Sequence, residues 1–234
     1  MDHDPETRPG NPFTGVLSTD QAAMEQQLAD LQVRLAAMPD DAPLLPERAH
    51  VLLDMGEALL GLERLDEAWE TVRPLVEPLV EAGAWQEAVE ACDILYRSEQ
   101  EDSIVALGHG VWLGVTFPIQ AHTTVGMLNH VVDETPEDSD GAAVAAMVAH
   151  YIAGLRTEGR ERDNLTFLTN QVIAKVARRH RGIEDQETLE TWIEMYELNN
   201  IERLFPRLAL IVNAIVGEKW WFDRDAVRAR IPAE

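Results

Sequence analysis

One cysteine, Cys92, stands in the whole chain, which excludes an intramolecular disulfide and any cysteine-rich zinc site. Lysine is confined to Lys175 and Lys219, and arginine supplies the other cations. Together they number 19 against 42 acids, a formal net charge of -23. Nucleic acid is therefore not an expected partner, since binding it needs clustered cations to displace counterions from phosphates. An anionic membrane surface is disfavoured for the same reason. Long apolar runs are also missing. The longest, residues 104–119, holds His109 and three glycines and falls short of the ~20 residues of a membrane-spanning helix. It reads as a buried helix. Met1 to Pro12 has neither a basic leader nor an apolar stretch, so the expected location is cytoplasmic.

Catalytic signatures are lacking too. The chain has no Gly-x-x-x-x-Gly-Lys phosphate loop and no Gly-x-Ser-x-Gly nucleophile elbow, motifs whose spacing is dictated by phosphate cradling and by a strained strand-to-helix turn. Cys92 sits on an apolar face and reads as a neutral buried thiol. The expectation is a protein without enzymatic activity or cofactor.

What is present is helix-forming sequence. Hydrophobic residues make up 46% of the chain, enough for a packed core. Alanine, leucine and glutamate dominate, and proline and glycine fall mostly between periodic stretches, so the expected class is all-α. Residues 1–17 read as a tail. Ser18 and Gln21 suggest a capping box, followed by the stripe Met24, Leu28, Leu31, Leu35 and Met38, ending at Pro39. Packing on the body is the expected use of that stripe; a seam between copies in a structural homo-oligomer is an alternative.

Pro46 opens a second helix with Val51, Leu52, Met55, Leu59 and Leu60 inward. Leu65-Asp66-Glu67-Ala68-Trp69-Glu70 starts another, and twenty residues later Trp85-Gln86-Glu87-Ala88-Val89-Glu90 repeats the pattern. Pro74 and Pro78 interrupt the segment between them. Small residues Gly56, Ala68, Ala88 and Gly108 recur where one helix crosses close to the next, with Val72, Leu75, Cys92, Leu95, Leu107 and Val111 filling the layer below. Over residues 47–115 this resembles a tetratricopeptide-type repeat. Gly56 and Ala68 have that family's twelve-residue separation, and Leu52, Leu59, Val72 and Leu75 occupy its apolar positions. The resemblance departs at the aromatic positions, filled here by Leu52, Leu59, Ile104 and Val111, and in the 20-residue interval from Ala68 to Ala88. It implies an antiparallel helix-turn-helix array that binds a peptide or helix.

Beyond residue 100 no repeat is evident. Pro118 is expected to start a helix stopped by Thr135-Pro136; Asp138-Ser139-Asp140 to cap an alanine-rich helix ended by Gly159; and Leu165 to Val176 to form a long helix closed by Lys175–Arg181 and Gly182. Leu189, Trp192, Ile193 and Tyr196 mark a shorter helix. Pro206 is expected to begin the next, and Asp223 to cap a final turn carrying Ala226, Val227 and Ile231. The organisation expected is a tail (1–17), a repeat-like region (18–100) and a C-terminal helical bundle or cap (101–234).

These readings point to a helical scaffold, an assembly factor, dedicated chaperone or adaptor, that binds another protein through its acidic surface. The surface expected is the neighbourhood of Leu59, Ala68, Trp69, Ala88 and Val111, with Glu63, Asp66, Glu67 and Glu87 steering basic segments. Trp220-Trp221-Phe222 are either binding anchors or the lock on the last helix. Lys175, Arg178, Arg179, His180 and Arg181 complement a helix C-terminus. A different class remains open: His122, His130 and Glu134 fall at helical spacings of eight and four, so an all-α metal-binding enzyme or sensor is the alternative.

Overall fold

A computed structural model describes residues 14–38, 46–137 and 139–231. These form helices and short turns, with no strand among the described residues. The first is α1 (Thr14–Ala36), which lies on α2 (Pro46–Gly61). α3 (Leu65–Val72) passes through a 3-10 turn (Arg73–Leu75) into α4 (Val76–Ala82), and α5 (Trp85–Arg97) returns against both. Then α6 (Ser103–Thr116), α7 (Ala121–Glu134), α8 (Gly141–Arg156) and α9 (Gly159–Arg181) each pack on their predecessor. α10 (Gln186–Met195) leads to α11 (Ile201–Val216), which folds back onto α6 and α8. A final strap carries the short α12 (Arg224–Arg228).

Side-chain pairs fix the directions of three of these helices. His50 meets Glu87 at the start of α2 and α5, and Glu57 meets Arg97 at their ends. Gln86 donates to Thr123 near the start of α7, His130 pairs with Asp93, and Tyr96 donates to Glu134 at its end. So α2, α5 and α7 run parallel, side by side, with α3–α4 and α6 connecting them from behind. Partners on neighbouring helices are 37 positions apart in sequence for Gln86 with Thr123 and Asp93 with His130. The twenty-residue interval of the alanines compares α3 with α5, an antiparallel neighbour, and so misses this longer spacing.

Small residues mark the close crossings. A β-carbon at Gly56 would stand 2.5 Å from Val72 and 3.1 Å from Ile94, and one at Gly110 would stand 2.9 Å from Cys92 Cβ. At Gly108 it would run into Val216 of α11. Leu59, Ala68, Ala88 and Val111 are buried. They hold the layers together and offer no surface to a partner, which corrects the expected binding face: positions facing the next helix are apolar for the same reason that positions facing a ligand would be.

Several boundaries differ from expectation. α1 begins at Thr14, so residues 14–17 are helical and Ser18 lies inside; serine in a helix interior costs only tenths of a kcal/mol. Leu28 and Leu31 are buried against α2, so the stripe serves internal packing. Residues 1–13, Pro39 and Asp138 lie outside the described residues. Pro74 breaks the helix, but Pro78 sits in the first turn of α4, where no amide donor is needed. Gly159 opens α9 and does not close α8, which ends at Arg156. Pro206 lies inside α11, whose buried row Leu204, Leu208, Val212 and Val216 outweighs the lost hydrogen bond. In α12 only Val227 is buried; Ala226 and Ile231 face solvent.

Arginines close several helix ends. Arg156 donates to Gly114 O (2.8 Å) in the last turn of α6 and to Thr124 Oγ1 (3.1 Å) in the first turn of α7. Arg179 reaches Val132 O (3.2 Å) at the end of α7, and His180 contacts Glu137 O and Asp140 at 2.8 Å. The basic run of α9 thus complements another helix's carbonyls as well as its own. We expect Arg156→Met to lower stability by about 1–3 kcal/mol, because buried carbonyls lose their donor. Gly56→Leu should cost a similar amount, about 1–3 kcal/mol, through overpacking. Urea midpoints at pH 7 check both.

Candidate binding surfaces

The seven residues expected to bind a partner occupy three separate places. Glu63 is exposed in the α2–α3 turn at a backbone φ of 58°. Nearby, Asp66 accepts from Gln100 Nε2 (2.9 Å), and Glu67 takes a two-pronged pair from Arg64 (2.6 and 2.7 Å). The Arg64 hydrogen bonds hold the Glu67 carboxyl below the usual carboxylate range. Glu87 lies on the face formed by α2, α5 and α7, 3.2 Å from His50. Trp69, Trp220 and Trp221 meet behind that face, where the C-terminal strap crosses.

The strap is held by a buried histidine. His109, in the middle of α6, has no solvent exposure. Its Nδ1 lies 2.7 Å from Val105 O, and its Nε2 accepts the backbone N–H of Trp221 at 3.0 Å. An amide can only donate, so Nε2 carries no proton and Nδ1–H donates to Val105. The ring stacks on Trp221 at 4.4 Å. Trp221 is also met edge-on by Trp69 (6.3 Å) and covered by the Arg73 guanidinium at 3.7 Å. Trp220 packs edge-on to Trp112, with Arg224 over its other side. Trp220, Trp221 and Phe222 thus pack against the core as a lock on the C-terminal segment. Nothing in the spacing of a lone histidine within an apolar run indicates this partner 112 positions away.

The opposite face is open. Glu57, Glu90, Asp93, Arg97, His122, Thr123, Gly126 and His130 line a cleft of about 440 Å³ between α2, α5 and α7. Asp93 accepts from His130 Nε2 (2.9 Å) and Arg97 (3.1 Å). Burial pushes its carboxyl up, but the bonds from His130 and Arg97 outweigh that and leave it below the usual range. Gly126 lies mid-helix, where glycine costs up to about 1 kcal/mol against alanine, yet a β-carbon there would meet nothing within 4 Å. Its missing side chain keeps the cleft deep. Sequence reading passed over Glu57, Glu90, Asp93, Arg97 and Gly126; the 37-residue offset between the parallel helices is the signal that aligns them.

The residues considered as metal ligands do not converge. His130 faces Asp93, Glu134 accepts from Tyr96 (2.7 Å) and lines a neighbouring hollow, and His122 lines the open cleft. Among the described residues no group of three or more histidine, cysteine or acidic side chains is placed to hold a metal ion. Cys92 is fully buried, and burial pushes its thiol up. Against family models, curated proteins and solved structures, the chain finds no match.

Burial pushes His109 down to about 4, with Arg73 and Arg224 adding to the shift and the Val105 bond and Glu77 opposing it. The folded value lies below the unfolded one of 6.5. The neutral ring's contribution is therefore whole above about pH 6.5 and is lost as pH falls towards 4, with a slope of at most about 1.4 kcal/mol per pH unit. The stability gap between the wild type and His109→Gln should narrow across that window, measured by urea unfolding. A constant gap would contradict the neutral-ring geometry.

Proposed function

We propose that the protein is a non-enzymatic helical scaffold that binds another protein, acting as an assembly factor, dedicated chaperone or adaptor. The observation that carries this reading is the open cleft between three parallel helices, floored by Gly126 and rimmed by Glu57, Glu90 and Asp93. Along the same face Glu47, Asp54 and Glu87 extend the acidic surface to α2 and the start of α5. Such a surface fits a basic segment, drawn in by charge and seated in the cleft. Parallel helices whose facing residues are 37 to 40 positions apart support the tetratricopeptide-like reading of residues 47–115, since helix-pair arrays present this type of face. The site lies on rigid elements, which suits binding without rearrangement.

Glu63, Asp66 and Glu67 have a secondary part in this proposal. They sit at a turn away from the cleft; Glu67 pairs with Arg64 as Glu57 pairs with Arg97, so position and not pairing separates the two groups. Charge steering from them is long-range, whereas Glu57 and Glu90 touch the cleft itself.

Affinity capture with the full chain tests the proposal when three variants are compared. Glu57→Lys with Glu90→Lys reverses the rim charge, Gly126→Trp fills the cleft without changing charge, and Glu187→Lys with Glu190→Lys makes the same charge change on α10. A partner recovered by the wild type and the α10 variant should fall at least about tenfold with the other two, equivalent to 1.4 kcal/mol. Circular dichroism should be unchanged throughout. Equal recovery by all variants removes the cleft as the binding site.

A further inference from the structure

The acidic cleft is one side of a wider groove. α9 runs parallel to α7, since Lys175 reaches Asp133 at 3.3 Å near the ends of both, and α8 lies antiparallel to each, with Arg156 on Thr124, His150 on Thr169 and His180 on Asp140. The face of α2, α5 and α7 therefore continues to a fourth helix. Leu168 and Val172 precede Lys175 and Arg179 along one row of α9, at spacings of four, three and four. Lys175 and Arg179 both contact α7, so the row is turned towards it. The 42-residue offset from Asp133 to Lys175 sets Leu168 opposite Gly126. Leu168 is 57% exposed, and Leu165 and Val172 beside it are half-buried. Gly126 looks out between the two neighbours of α7: Thr123 and His130 on one side meet Gln86 and Asp93 of α5, and Asp133, two turns on, meets α9. The α5 flank is charged. Arg97 serves both Glu57 and Asp93, while Glu90 accepts from the neutral Gln86 amide and from no cation among the described residues.

Dimensions and charge select the occupant. Packed helices lie about 8–10 Å apart, so α5 and α9 stand roughly 16–20 Å from each other across α7. A helix about 10–12 Å thick rests over Gly126, where a β-carbon would meet nothing within 4 Å, and touches both flanks. One helix row spaces Leu165, Leu168 and Val172 at about 4.5 and 6 Å. A second helix laid alongside keeps step with that row, whereas an extended chain, with same-side residues about 6.6 Å apart, falls out of step. A second copy of this chain would bring another net charge of -23 towards the acids. We propose that the groove over α7 docks an amphipathic helix of a partner protein, with a basic row against Glu90 and Asp93 on α5 and an apolar row against Leu165, Leu168 and Val172 on α9. The inference rests on the scaffold reading above and adds to it the partner's conformation and its apolar row.

Three fluorescein-labelled peptides of about 16 residues, long enough to form a helix, test this by anisotropy with the full-length chain. The first carries lysine on one helix row and leucine on the opposite row. The second has the same residues shuffled so that neither row forms, and the third alternates lysine and leucine with the period of an extended chain. The first should bind the wild type at least about tenfold more tightly than the others. Leu168→Glu should weaken it at least about fivefold by removing the apolar contact, although the added negative charge alone would tighten a basic peptide. Leu168 is exposed, so circular dichroism and the urea midpoint of the variant should match the wild type. Equal binding of the first and second peptides, or no weakening by Leu168→Glu, overturns the inference and leaves a cleft that holds basic segments by charge. Preference for the third assigns the groove to an extended segment and also overturns it. Binding of none does the same, and the capture variants above then decide the scaffold reading on their own. Sedimentation without peptide checks the remaining occupant: a wild-type dimer that Leu168→Glu dissolves would give the row to a second copy and overturn the proposal.

Discussion

Helix α6 is apolar on all sides, and the rest of the architecture follows from covering it. From Val105 to Gly114 every residue is buried, so this helix cannot lie at a surface as an ordinary amphipathic helix does. α5 and α7 take two flanks, α11 closes on Gly108, and the strap covers His109. Glycine at positions 108 and 110 lets those neighbours come close enough to exclude water. His109 adds a condition of its own. A buried imidazole must satisfy both nitrogens, and the second is met only when the backbone of Trp221 arrives. The covering segment is thereby registered to a single residue.

Charge is distributed by a related economy. Cations are scarce in this chain, and four of them serve helix ends: Arg156, Arg179, Arg207 and Arg230 donate to carbonyl oxygens at Gly114, Val132, Tyr196 and Val80. Each reaches the last turn of a helix, or the residue after it, where carbonyls lack an intrahelical partner. The guanidinium fork suits this task because it reaches several acceptors at once and always stays charged. Acids, in contrast, remain largely at the surface.

The two faces of the array differ accordingly. The face of α2, α5 and α7 is left open, acidic and hollow above Gly126, while the face of α3, α4 and α6 is covered by the C-terminal strap.

The all-α class, the helices opening at Pro46, Leu65 and Trp85, the glycine stops at Gly182 and Gly217, and the Asp223 cap were all legible in the sequence. Each depends on residues within a few positions of one another, through propensity, periodicity or the hydrogen bond of a cap. The inward roles of Cys92 and of the small residues at crossings were legible for the same reason. Local patterns misled where tertiary packing outweighed them, as at Pro206. The pairing of Asp93 with His130, the depth above Gly126 and the bond from Trp221 to His109 were decided by the tertiary structure alone. Those contacts join residues 37 to 112 positions apart, and only the parallel stacking of helices and the fold-back of the C-terminal segment bring them within reach.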